Sequence, residues 1–168
     1  MRRLTVIAAL AGLALSGFAA QAYAAQCASV ADQSTYEVLS LRTQMLVLAL
    51  KCEQRDAYNK NFVIRFQPVL QANDRDVLTY FRRLYGNAGQ GRKDSYTTQL
   101  VNVMSRTANL NGGEYCARAG LLVNEMNALR GGEDLVAYAA VKDMAPAGNS
   151  MCPVGAPASG ARAPARRR

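Results

Sequence analysis

The sequence predicts an all-α fold: a small, disulfide-braced bundle of five to six helices followed by a disordered C-terminal tail. Three observations carry this. Apolar residues recur with helical spacing along most of the chain, and no useful length alternates as a strand would. Hydrophobic residues make up 50% of the composition, enough to support a core. Four cysteines, an even set, accompany an N-terminal export signal, where disulfides are their expected state.

The organising stretch is 35–52, TYEVLSLRTQMLVLALKC. Val38, Leu41, Met45, Leu48 and Cys52 fall on one helical face, and Leu39, Leu46, Val47 and Leu50 widen it. Only Glu37, Arg42 and Lys51 carry charge. So apolar a helix belongs in the middle of a bundle. Ser34 or Thr35 is its expected cap, with Glu37 completing a capping box.

Residues 1–24 read as a cleaved secretory signal. Arg2 and Arg3 give a positive start, 4–15 is an apolar run, and Ala22-Tyr23-Ala24 is an A-x-A cleavage site. The run is short of the ~20 residues that a spanning helix needs. Gln26 stands before Cys27, where a lipoprotein signal requires a small residue. The expected location is periplasmic or secreted, with the bundle over 25–144 and a flexible tail rich in Ala, Pro, Gly and Arg over 145–168. No later segment is long and apolar enough to cross a membrane.

Asp56 is expected to open a second helix, in which Tyr58, Phe62, Phe66 and Leu70 recur every four residues until Pro68 ends or kinks it. Asn73 or Asp74 caps a third, with Val77, Leu78, Phe81, Leu84 and Tyr85 inward and Gly86 as its stop. Residues 86–93, GNAGQGRK, read as a mobile linker. The glycine spacing resembles a phosphate loop only faintly, since no strand precedes it and no G-K-[ST] follows. Asp94 or Ser95 caps a fourth helix to about residue 108, with Leu100, Val103, Met104 and Ala108 inward. After a turn at 109–113, a fifth runs over 114–130 on Tyr115, Ala119, Leu122, Met126 and Leu129. Gly131-Gly132 ends it, and 135–141 forms one more short helix.

The cysteines admit three pairings. Cys52 ends the central helix and Cys116 begins the fifth. If these are antiparallel neighbours, the two meet at one pole, which leaves Cys27 with Cys152. No C-x-x-C pair suggests a zinc ribbon or a redox site.

The formal net charge of +8 is uneven. Setting aside Arg2, Arg3, Arg162, Arg166, Arg167 and Arg168 leaves 14 cations against 12 acids between 25 and 144. The basic character thus belongs to the tail, which argues against specific nucleic-acid binding by the fold. Absence of histidine removes Ser-His and Cys-His catalysis and the commonest metal ligand. Asp74 with Asp76, and Glu133 with Asp134, sit at expected helix starts and complement helix dipoles rather than form a hydrolase pair. Met45, Met104 and Met126 read as core fillers, not haem ligands.

Two groups of residues could bind something. Arg82, Arg83, Arg92 and Lys93, with Arg162 and Arg166 to Arg168, could meet an anionic envelope surface. Tyr58, Phe62, Phe66, Phe81 and Tyr115 could line an apolar pocket. The leading expectation is a non-enzymatic bacterial protein of binding or envelope-interaction type, its partner an envelope protein or anionic surface, with no cofactor or metal. The alternative is a carrier of a small apolar ligand; a carboxylate-only hydrolase comes third.

Overall fold

The structure, a computed structural model, describes residues 28–142. They form an all-α bundle with four long helices and no strand among the described residues. The expected five to six helices are corrected to four because the fourth and fifth run on from one another and the second becomes a short α-turn and π-helix.

The first helix, α1, spans Val30–Lys51. Ser29, not Ser34 or Thr35, caps it. The Ser29 hydroxyl accepts from Asp32 N at 3.2 Å, and the Asp32 carboxylate accepts from Ser29 N at 2.8 Å, a reciprocal capping box. Thr35 lies inside the helix and returns its hydroxyl to the Ala31 carbonyl at 3.0 Å. Val38, Leu41, Met45 and Leu48 are buried as the spacing predicts, and so are Leu39 and Val47. Leu50 is exposed.

The second expected helix takes an unusual form. A single α-turn, α2 at Arg55–Tyr58, passes into a π-helix at Asn59–Ile64. Phe62, inside the π segment, and Phe66, at the cap of the next helix, are both buried in one cluster with Tyr58 packed against it.

The second helix ends at Ile64, near Phe66 as expected, and Pro68 opens the next one rather than kinking it. It lies in the first turn of α3, Gln67–Tyr85, where a missing N–H costs nothing. Asn73 and Asp74 are therefore interior residues, not caps. Asn73 donates to the Thr35 carbonyl at 2.8 Å, and Asp74 accepts from Arg42 Nη1 at 2.8 Å on each oxygen. Arg83, later in α3, reaches Asp32, earlier in α1, so the two helices run antiparallel.

Residues 86–93 are not a linker. Gly86, at φ 56° and ψ −128°, turns the chain; Gly86–Ala88 is a 3₁₀ turn, and α4 begins at Gly89. α4 spans Gly89–Ala128, 40 residues, with one interruption at Gly112, φ 49° and ψ −125°. The fourth and fifth expected helices thus follow one another across a kink, where the backbone leaves helical geometry at one glycine of the expected turn at 109–113. Leu100 and Ala108 are buried as expected, but Val103 faces out. At the far end, Arg65 donates to the carbonyls of Met126 at 3.3 Å and Asn127 at 3.1 Å, and also to that of Leu129, partners that the last turn lacks. The last helix, α5, spans Gly132–Lys142 with Glu133 and Asp134 in its first turn.

The core is double. Val38, Leu41 and Met45 meet Phe62, Phe66, Leu70, Met126, Leu135 and Ala139 on one side of α1. Tyr36 and Leu39 meet Val77, Tyr80, Phe81 and Leu100 on another. Cys52, at the C-cap of α1, is bonded to Cys116, just past the Gly112 interruption, with Cα atoms 5.5 Å apart. In the chain-entropy model, closing that 64-residue separation contributes about 4 kcal/mol. The expected Cys27–Cys152 pairing and the tail lie outside the described residues. No helix among the described residues is long and apolar enough to cross a membrane.

Candidate functional site

The turn between α3 and α4 gathers four of the eight cations named from sequence. From Val77 to Lys93 the chain holds Arg82, Arg83, Arg92 and Lys93 and no acid. Arg82 and Arg83 fall in the last turn of α3, where they oppose its negative end. Arg92 and Lys93 follow within the first two turns of α4.

A close approach of the two backbones holds this tip. A Cβ on Gly89 would lie 2.7 Å from both Arg82 Cα and Arg82 N, and 2.9 Å from the Phe81 carbonyl carbon. Only glycine lets α4 start so near α3. Beneath the tip is an aromatic layer. Tyr36 is its hub, edge-on to Tyr80 at 5.2 Å and to Tyr96 at 5.3 Å, with Phe81 at 6.4 Å. Phe81 stacks on Tyr85 at 6.1 Å. Burial, then the neighbouring Tyr80, pushes the Tyr36 hydroxyl far above its ordinary value, so it stays protonated.

The four cations have different occupations. The Arg83 guanidinium lies over the Tyr80 ring at 5.0 Å and donates to Asp32 at 2.7 Å. Burial works against the charged form of Asp32, but the bonds from Arg83 and Ser29 outweigh it, and its carboxyl sits below the usual range. Arg83 is thus largely structural. Arg92 lies over the Tyr85 ring at 5.4 Å, and both residues are exposed. Arg82 is exposed, whereas Lys93 is partly buried and lines a cleft between helices. Arg162, Arg166, Arg167 and Arg168 lie outside the described residues.

The aromatics named from sequence do not meet in one place. Phe62 and Phe66 belong to the first core cluster with Tyr58 packed against it, and Phe81 belongs to the second. Tyr115 is partly buried, and its hydroxyl has no hydrogen-bond partner. None of the five lines either of two clefts on the bundle: one of about 420 Å³ beside Asp32, Tyr80 and Arg83, the other of about 340 Å³ beside Arg42 and Lys93. Among the described residues, no three of Asp, Glu, Cys and His gather closely enough to hold a metal ion.

Two participants escape the sequence reading. Tyr36 is on the central helix but off the stripe that marks its core face. Asp32 looks like part of a polar leader, although Ser29-x-x-Asp32 is itself a capping signal. Comparison with models of protein families, with curated proteins and with solved structures returns no match.

Proposed function

We propose that this chain is an exported, non-enzymatic binding protein of the bacterial envelope that meets an anionic surface at the α3–α4 tip. One observation supports this above others: exposed Arg82 and Arg92, with the exposed ring of Tyr85 between them in sequence, stand on a turn fixed by the Gly89 approach. A fixed backbone at the tip spares main-chain ordering on contact, and the Tyr85 ring beneath Arg92 suits a lipid interface. The basic tail, Arg162 and Arg166 to Arg168, adds attraction of the same sign. Export follows from the signal at 1–24.

The test is retention on vesicles. The mature chain is expected to co-sediment with vesicles containing anionic phospholipid, and to be released as salt rises, since exposed charges are screened over about 8–10 Å at physiological ionic strength. Replacing Arg82 and Arg92 together with Gln is expected to weaken binding about thirtyfold, from ~1 kcal/mol for each cation near such a surface. Removing 162–168 is expected to weaken it further. Retention indifferent to salt and to both changes rejects the proposal.

A further inference from the structure

The kink at Gly112 places two reactive groups side by side. Asn111 stands directly before it, and no other asparagine in the chain precedes a glycine. The side-chain amide carbon of an asparagine, Cγ, lies within reach of the next residue's main-chain nitrogen, so the two can close a five-membered ring. Two things ordinarily prevent this. A side chain on the following residue crowds the approach, and a regular helix ties each N–H to the carbonyl four residues back. Gly112 has no side chain, and the backbone leaves helical geometry at that residue, with φ 49° and ψ −125°.

The surroundings leave room for the reaction. Asn111, Gly112 and Gly113 are all exposed. A Cβ on Gly112 or on Gly113 would meet nothing within 4 Å. One bond restrains the amide, since Asn111 Nδ2 donates to the Thr107 carbonyl at 3.0 Å. Thr107 is exposed as well, so water replaces the amide there when the side chain turns. Opening at a kink between two helical segments also costs less than opening in the middle of either. The other asparagines lack this combination. Asn73 is buried and precedes Asp74; Asn102, Asn109 and Asn124 precede Val103, Leu110 and Glu125 within the helical segments.

We propose that Asn111–Gly112 is a site of spontaneous covalent modification, at which the Gly112 nitrogen closes on Asn111 and the asparagine becomes aspartate or isoaspartate. A bond forms from Gly112 N to Asn111 Cγ, the Cγ–Nδ2 bond breaks, and the Gly112 proton leaves with the amide as ammonia. Water then adds to one carbonyl carbon of the succinimide, the bond from that carbon to Gly112 N breaks, and the nitrogen recovers a proton. Addition at Cγ gives aspartate. Addition at the Asn111 main-chain carbonyl gives isoaspartate, whose main chain runs through Cβ and Cγ and is one carbon longer. Either product adds one negative charge, and the loss of ammonia makes the change irreversible. Buried Ala108 and Ala119 and the Cys52–Cys116 bond anchor the two segments, so the kink takes up the extra carbon and the second segment is re-aimed against the first.

The experiment incubates the mature, disulfide-bonded protein in neutral buffer at physiological temperature, beside the same chain in urea. Each sample is then reduced, alkylated and cut with trypsin. The peptide 107–118 is followed by mass spectrometry, and its aspartyl and isoaspartyl forms are separated by chromatography. In the folded protein, Asn111 is expected to convert at least tenfold faster than any other asparagine of residues 28–142, with isoaspartate among the products, and within tenfold of its rate in urea. Gly112→Ala is expected to slow it at least fivefold, and Asn111→Gln to abolish it with helical content unchanged. Conversion in urea but not in the folded protein overturns the proposal. So does aspartate without isoaspartate, or another asparagine converting first. Should Gly112→Ala fail to fold, the comparison of the folded and unfolded parent chain decides alone. Vesicle retention, which depends on Arg82 and Arg92, is a separate readout and stands or falls independently.

Discussion

Gly89 approaches Arg82 so closely that any side chain at 89 would strike the α3 backbone, at 2.7 Å from the Arg82 Cα. The obstacle is main chain, not a flexible side chain, so it cannot swing aside. Gly89→Ala is therefore expected to destabilise the bundle by about 1–3 kcal/mol, as overpacking does, despite the better helix propensity of alanine. Urea unfolding checks this. Gly91→Ala is the control, because a Cβ there meets open space; it is expected to be neutral or slightly stabilising.

Asp32 makes acid stability predictable. Burial raises the pKa of its carboxyl and the bonds from Arg83 and Ser29 lower it more, so the folded value lies below the unfolded one. A depressed carboxyl contributes stability above its unfolded pKa, about 4, and loses it as pH falls through the folded value. Asp32→Asn is expected to cost about 1–2 kcal/mol at pH 7, since it unmatches Arg83 and weakens the cap. The cost shrinks toward pH 3, where the carboxyl of the parent protein also begins to protonate. Unfolding curves at the two pH values should converge in acid; a constant difference contradicts this account.

Gly112 and the disulfide are expected to be coupled. The backbone at Gly112 has φ 49° and ψ −125°, a region that L residues avoid, and Cys116 follows one turn later. Gly112→Ala should cost about 1–3 kcal/mol with the disulfide intact. In a Cys52→Ser, Cys116→Ser background the helix is free to straighten, and the cost should fall by at least 1 kcal/mol, a coupling readable from a double-mutant cycle. Strict additivity would mean that the interruption does not aim Cys116.

Much of this architecture is legible in the residues. Val38, Leu41, Met45 and Leu48 mark α1 as central, because period and composition point the same way. Cys52 and Cys116 can be paired, because one ends a rod and the other stands just past the glycine break at 112–113. The boundaries are harder to read. Glycine at 86, 89, 91, 112 and 113 signals a breaker by composition, yet its role depends on what stands opposite. Gly89 is required by the backbone of Arg82, and Gly112 marks a kink between two helical segments. Pro68 has the same ambiguity, since one residue serves as a terminator or an opener depending on which turn it occupies. Tyr58, Phe62 and Phe66 announce one regular helix but fall in an α-turn, a π-helix and the cap of α3.

The candidate site is less legible still. Arg82, Arg83, Arg92 and Lys93 look alike in the chain and are put to three uses. Arg83 is tied to Asp32, 51 positions earlier; Lys93 is turned into a cleft; Arg82 and Arg92 remain on the outside. Long-range pairings of that kind leave no local trace.

The double core also governs how the molecule opens. α1 supplies one face to the cluster around Phe62 and Met126 and another to the cluster around Tyr80 and Leu100, so neither cluster can melt without stripping it. Amide protons in the middle of α1 can then reach deuterium only when the whole bundle unfolds. α5, anchored in the first cluster alone through Leu135 and Ala139, is expected to exchange before α1 does.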